Sequence, residues 1–291
     1  SGTAEEFFQL YGVASKAIKQ FDAEVKVGGC AICRYDEYDY EGFLEGFLEY
    51  CQKYELPLDF FTWHNYEKNP EKLIKFAPQM RWLLDQYGYT KAESHLNEWN
   101  YMFSEPNLKK FEGIYRSGNE YYTQTVFDKI RTEEGASFDA AALILMQDAP
   151  IDIANFYDAA PSSFWSLFNC YGVPQKNYYA FEAFYELYKH PRRVEVAIQP
   201  SIAGLYCCAG LDETKKQGAV LLSNFNAESR AYEVSFTNLS GQDQLICEQY
   251  VVDANNDLTL TGSTLLSKEN SRIEMYIKKH SVVLLKITHC L

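Results

Sequence analysis

"FLEYCQKYELPLDFFTWHNY", Phe47 to Tyr66, decides the fold, because its two ends obey different periods. Phe47, Leu48 and Cys51 continue a helical spacing begun by Phe43 and Leu44, whereas the run from Pro57 to Tyr66 is rich in strand formers. A helix feeding a strand is part of a βα unit, and the alternation recurs on both sides. Upstream, Thr3 and Glu6 form a capping box, and Phe7, Leu10, Tyr11, Ala14, Ala17, Ile18 and Phe21 recur at helical spacing, so Thr3 to Phe21 reads as a helix. "VKVGG" (Val25 to Gly29) then reads as a short strand ended by glycines. Downstream, Asn69 and Pro70 open a helix that Gly88 closes, and "AESHLNEW" (Ala92 to Trp99) is a third strand. Residues 119 to 147 read as two helical pieces broken near Gly135. "IDIANFYD" (Ile151 to Asp158) is a fourth strand and "NYYAFEAFYELYK" (Asn177 to Lys189) its helix. Strands alternating with helices imply βαβ units and a parallel sheet.

"KHPRR" (Lys189 to Arg193) breaks this pattern. Beyond it come short β-rich runs separated by turn clusters: "VEVAIQ", "LYCCAG", "AVLLSNF", "AYEVSF", "QLICEQYVV", "LTLTGSTLL", "RIEMYI" and "SVVLLKI". Tyr232, Val234 and Phe236 alternate with polar neighbours, as in a half-buried strand of a sandwich. The expectation is therefore an α/β domain over 1–191 followed by a β-sandwich domain over 192–291.

With 291 residues and 47% hydrophobic content the chain can bury a real core. A formal net charge of −13, with basic residues scattered, argues against nucleic acid as partner. No apolar run approaches the ~20 residues needed to cross a bilayer, and "SGTAEEFFQLYG" lacks the order of a signal peptide, so no membrane is expected as partner. The eight cysteines show no even spacing, which favours free thiols in a reducing, cytoplasmic setting. Cys30 and Cys33 have the spacing of a zinc or redox pair, but no second pair lies at ligand distance. Neither metal nor cofactor is expected. Aromatic residues are in surplus, with 23 Tyr and 19 Phe, and flat rings suit both a core and a cleft that grips apolar ligand faces.

In parallel α/β folds the working residues gather at the carboxyl ends of strands. Trp63, His64, Asn65 and Tyr66 end the second strand, Asn97, Glu98, Trp99 and Asn100 the third, and Asn155, Tyr157 and Asp158 the fourth. Any one of these is ordinary loop furniture, since a strand-end Glu is commonly solvated and a lone His commonly satisfied by backbone. Three successive strands ending in imidazole, carboxylate and aromatic-amide groups carry more weight. That set suits glycosyl transfer to water: a carboxylate attacks or stabilises an oxocarbenium-like centre, while imidazole, phenol and amides hold it ionised. A second carboxyl to donate the proton is missing from the set. Ser94 and His95 are sequential rather than a nucleophile–base pair, and no nucleophile elbow, dinucleotide or P-loop motif occurs.

"HLNEWN" (His95 to Asn100), together with "WHNY" (Trp63 to Tyr66), resembles the retaining glycoside hydrolases of clan A, most closely family thirty-nine, which includes β-xylosidases and α-L-iduronidase-like enzymes. "VKVGGCA", "FLEYCQKYELPLDFFTWHNY" and "YYAFEAFYELYK" are similar to the fifth, sixth and eighth βα units of that family's (β/α)8 barrel, and the trailing β region to its accessory domain. The resemblance implies that Glu98 is the catalytic nucleophile and that His64 and Tyr66 orient it and contact the sugar. Trp99, Asn100, Tyr157, Asp158 and Trp165 follow as further sugar-contact candidates, although "NFYDAAPSSFWSLFN" departs from the xylosidase pattern. The family's acid/base is the Glu of an Asn-Glu-Pro motif ending strand four, shortly before a Ser-Gly-Thr. This sequence starts at such a Ser1-Gly2-Thr3 and contains no Asn-Glu-Pro, and "SEPN" (Ser104 to Asn107) follows the wrong strand to replace it.

The resulting expectation is α/β plus all-β: strands five to eight of a TIM barrel followed by a β-sandwich, with the acid/base outside the chain. A whole barrel takes about 250 residues, and a half left open would expose sheet edges and an apolar face. A second copy or an N-terminal half is expected to cover it. Two functions follow, a retaining, xylosidase-like O-glycosyl hydrolase with little or no activity in isolation, or a non-catalytic carbohydrate-binding or self-associating remnant. Carbohydrate is the expected ligand in both.

Overall fold

The computed structural model describes residues 2–33, 42–102, 118–161, 165–214, 216–238 and 244–289. Their contacts form two compact units, one of residues 1–100 with 148–157 and one of 101–147 with 158–291.

The first unit starts with α1 (Ala4–Phe21), capped as the sequence predicts: Glu6 N donates to Thr3 Oγ1 at 3.2 Å and Thr3 N to Glu6 Oε2 at 2.7 Å. The buried face differs from the expected one. Phe8, Gly12 and Ser15 point inward, while Leu10 and Phe21 are 66% and 93% exposed. Gly12 decides this face, since a Cβ there would press on Leu56 at 3.3 Å, so the helix approaches its neighbours most closely along that line. β1 (Gly28–Cys33) begins three residues later than the sequence suggested. Gly28 opens it rather than closing it, because a Cβ would lie 2.1 Å from the Phe60 carbonyl on the next strand.

α2 (Phe43–Lys53) buries Leu44, Phe47, Leu48 and Cys51, the positions its periodicity marks. Burial of a side chain such as Phe47 contributes roughly 1.5–3 kcal/mol. β2 (Phe60–Glu67) follows. The single helix expected after it is two, α3 (Pro70–Leu73) and α4 (Ala77–Gln86). Asn69 caps the first, but Pro78 has no amide to continue the ladder and its ring would clash with the carbonyl of residue 74, so the chain restarts there. Asn65, fully buried, donates to the carbonyls of Lys72 and Leu73 at 3.2 and 2.8 Å and ties this broken end to β2. β3 (Glu93–Tyr101) and β4 (Ile153–Phe156) complete a sheet of order β1-β2-β3-β4, in which β1 runs parallel to β2 and β3 to β4.

In the second unit, α5 (Glu120–Arg131) and α6 (Glu133–Met146) part at Thr132, not at Gly135. Gly135 serves close packing instead, since a Cβ there would meet the Ile130 carbonyl at 1.9 Å. After α7 (Lys176–Tyr188) come, among the described residues, eight strands: β5 (Arg192–Val194), β6 (Leu205–Leu211), β7 (Gly218–Asn224), β8 (Arg230–Ser235), β9 (Leu245–Asp253), β10 (Asn256–Leu266), β11 (Arg272–Ile277) and β12 (Ser281–His289). Six make an antiparallel sheet of order β10-β9-β12-β7-β6-β5, and β11 pairs with β8 in a separate two-stranded sheet. "VEVAIQ" is mostly not strand; β5 ends at Val194.

Both faces of the large sheet are covered. Ala219, Leu221, Val282 and Leu284 pack with Ala136, Ala140 and Ile144 of α6 and Ala180, Ala183 and Leu187 of α7. Their neighbours Val220, Leu222, Val283 and Leu285 pack with Ile273, Met275 and Ile277 of β11. Alternate residues thus enter two different cores, which is why every residue of β7 is buried. The compact units therefore do not part at residue 191: α6 and α7 share their core with the strands that follow.

Candidate active site

The site lies at the carboxyl ends of β2 and β3. In β2, strict alternation sends Phe60, Thr62, His64 and Tyr66 to one side of the sheet. His95 of β3 stacks on Phe60, with centroids 4.6 Å apart and planes 5° apart, and so belongs to that side. Strict alternation from His95 would turn Glu98 to the opposite side. It does not, because β3 gains one residue against β4: Leu96 faces Ala154, but Trp99 faces Phe156. Such a slip exchanges faces. Glu98 consequently meets Tyr66, whose hydroxyl donates to Oε2 at 2.8 Å, and His64, whose Nδ1 lies 3.3 Å from the same oxygen.

The electrostatics follow from burial. Burial holds His64 below the usual imidazole value although Glu98 pulls it up, so at neutral pH the ring is neutral. With the proton on Nδ1 it donates to the carboxylate. Tyr66 is pushed well above the ordinary phenol range by burial and by its bond to Glu98, and it remains a donor at any working pH. Two neutral donors on one oxygen orient the Glu98 carboxyl group. The Glu98 side chain is 34% exposed.

The linkage sign is fixed by the lowered His64 value. Below the ordinary 6.5 the unfolded chain takes up this proton and the folded chain does not, so stability falls as pH drops through that window. His64→Asn is expected to flatten the fall below pH about 6.5 in thermal unfolding. Parallel pH profiles for the variant and the parent would count against a buried neutral imidazole.

The other expected residues are placed as follows. Trp99 is 1% exposed, its indole edge-on to Phe156 at 5.1 Å, so it packs the strand end. Asn100 is fully buried and donates to the Tyr157 carbonyl at 2.5 Å, while Tyr157 N donates to the Trp99 carbonyl at 3.0 Å. These bonds fix Tyr157, a residue 42% exposed whose ring meets that of Tyr66 edge-on at 6.5 Å. Trp63 is buried and donates through Nε1 to Ser94 Oγ at 3.1 Å. Asp158 and Trp165 belong to the second unit. The Asp158 carboxylate accepts from Ala160 N, its carbonyl accepts from Leu167 N, and Trp165 is buried. His95 Nε2 bonds the Glu93 carboxylate at 2.9 Å, a side-chain partner rather than the backbone group ordinarily expected. "SEPN" and residues 162–164 of the strand-eight stretch lie outside the described residues. Seven described cysteines are free thiols, with Cys170 exposed and Cys51, Cys208 and Cys247 buried.

Comparisons of sequence and fold find sugar-cleaving enzymes among the relatives of this chain. Residues 1–79 match the sequence profile of "Glycosyl hydrolases family 39". A β-xylosidase of Caldicellulosiruptor saccharolyticus is 24% identical over 251 residues, 78% of this chain and 45% of the relative. A β-xylosidase of Geobacillus stearothermophilus is 28% identical over 122 residues, 35% of this chain and 23% of the relative. This chain thus spans less than half of either. Among solved structures, a glucosidase from Croceicoccus marinus superposes with a TM-score of 0.77 at 22% identity, over 100% of this chain and 66% of that one. A Paenibacillus polymyxa xyloglucanase of family 44 follows with 0.66 at 14% identity, over 99% and 62%. The chain is thus similar to glycoside hydrolases of family 39, and its fold is like that of these glycosidases.

Proposed function

We propose that the chain carries the nucleophile half of a retaining, xylosidase-like glycosidase, with Glu98 as nucleophile. The observation that carries this reading is the pair of donors on Glu98 Oε2. They leave Oε1 to attack the anomeric carbon; the leaving group departs with its bonding electrons, and water later cleaves the glycosyl ester. Tyr157, exposed and held beside Tyr66, is the proposed sugar contact on the next strand, and His64 and Tyr66 are the others. Trp99 and Asn100 act from behind by fixing the strand end. The complete reaction needs a second carboxyl about 5–5.5 Å from the first. The family resemblance assigns it to an Asn-Glu-Pro motif that this sequence does not contain.

The test separates the two roles. 2,4-Dinitrophenyl 2-deoxy-2-fluoro-β-D-xyloside has a leaving group that needs no proton, so it reports on the nucleophile alone. A sugar ester on the peptide containing Glu98, found by mass spectrometry, is the expected result. An unmodified chain after prolonged incubation would remove the nucleophile reading.

We also propose that the described α/β part is half of a (β/α)8 barrel, completed by further βα units supplied in cis or by a second copy, with the trailing antiparallel sheets as its sandwich. Support comes from β1, which ends the sheet order, and from α1, which exposes Leu10, Val13 and Phe21. Such an edge and stripe invite cover. Sedimentation velocity of this chain is expected to give a dimer or larger species; a monodisperse monomer that binds no apolar dye would overturn the proposal.

A further inference from the structure

β1 carries a second register slip, and it aims a side chain that the family resemblance does not single out. Cys30 faces Thr62, but Ile32 faces Trp63 and Cys33 faces His64, so Ala31 is an extra residue. The slip is built in. Ala31 has a left-handed backbone (φ 59°), strained for a residue with a Cβ, and its amide donates to Thr62 Oγ1 at 2.8 Å. Strict alternation from Cys30 would put Cys33 on the opposite side from Thr62. With the slip, Cys33 leaves the sheet on the side of Thr62, His64 and Tyr66, next to His64 on a strand about 4.8 Å away. Ile32 goes instead with Trp63 into the core, where both are buried. The Cys33 thiol is partly exposed, and it is among the groups that push the Tyr66 phenol up. Bulges next to working sites commonly re-aim one side chain. Here β1 and β3 each use one, and both aim at the same pair on β2.

We propose that Cys33 forms a wall of the sugar site beside His64 and is a specificity-determining residue, its size setting the room for a ring substituent of a xylose-type pyranoside. The proposal rests on the reading of this face as a sugar site, but not on Glu98 being a competent nucleophile.

Alkylation by iodoacetamide, followed peptide by peptide with mass spectrometry, tests it on the chain as it is. Excess xylobiose is expected to slow labelling of Cys33 about fivefold or more, while exposed Cys170 in the second unit is labelled at an unchanged rate. Unchanged labelling of Cys33 overturns the assignment. Protection without any fluorosugar ester on Glu98 would leave the wall in place and remove the nucleophile reading, so the two failures are distinguishable. Where the ester forms, Cys33→Leu is expected to raise the fluorosugar concentration for half-maximal trapping about tenfold with little change in the limiting rate, and Cys33→Ser to stay within about twofold. A Leu variant indistinguishable from the parent would also overturn it.

Discussion

Glu98→Gln is expected to abolish fluorosugar ester formation, by about 10⁴-fold or more, while leaving the fold intact. The amide has nearly the volume of the carboxyl, and its oxygen can still accept from the Tyr66 hydroxyl, so the network that places residue 98 loses little. What it lacks is a nucleophilic carboxylate oxygen. Intact mass after incubation with the dinitrophenyl fluorosugar gives the yield, and thermal unfolding of the same sample shows that the variant is folded. A folded Gln variant trapped at the parental rate would mean that another residue takes the sugar.

Tyr66→Phe is the next largest effect. The hydroxyl at 2.8 Å is the shorter of the two donors on Oε2, and burial keeps it protonated. Its loss leaves His64 Nδ1 at 3.3 Å to orient the carboxylate alone. Trapping is expected to slow by about 10²-fold, mainly in the limiting rate, in line with the loss of one oriented donor. Since the ring is retained, its edge-on contact with Tyr157 survives and half-saturation should move little. A change of less than twofold in the limiting rate would reduce Tyr66 to a packing role.

The alternation of helix and strand was legible because its signals are local. Phe43 to Cys51 repeat at helical spacing, Asn69 and Thr3 announce helix starts, and "DFFTWHNY" is too β-rich to be anything else. What escaped was tertiary. The break before α4 is written in Pro78, which sits in the first turn of the restarted helix. The inward face of α1 was set by Gly12, a residue that carries no hydrophobic signal. At the site, Glu98, His64 and Tyr66 were readable as types at strand ends. That they meet depends on one extra residue in β3, and Cys33 joins their side through another in β1. A register slip leaves no periodic mark, so Cys33 read only as half of a C-x-x-C pair. Trp99 reads as a sugar contact by residue type, yet its indole packs on Phe156.

The six-stranded sheet has one further consequence. Its strands are written in the last hundred residues, but one of its two faces is closed by α6 and α7, which are written before them. Ala136, Ala140, Ala180 and Ala183 are small because strands of another sequence texture must come close. Inheritance of this region is therefore coupled across the apparent boundary. An exchange between relatives at residue 191 would join helices and strands that had not co-adapted, whereas a graft that carries α6 and α7 along with the strands transfers a complete interior.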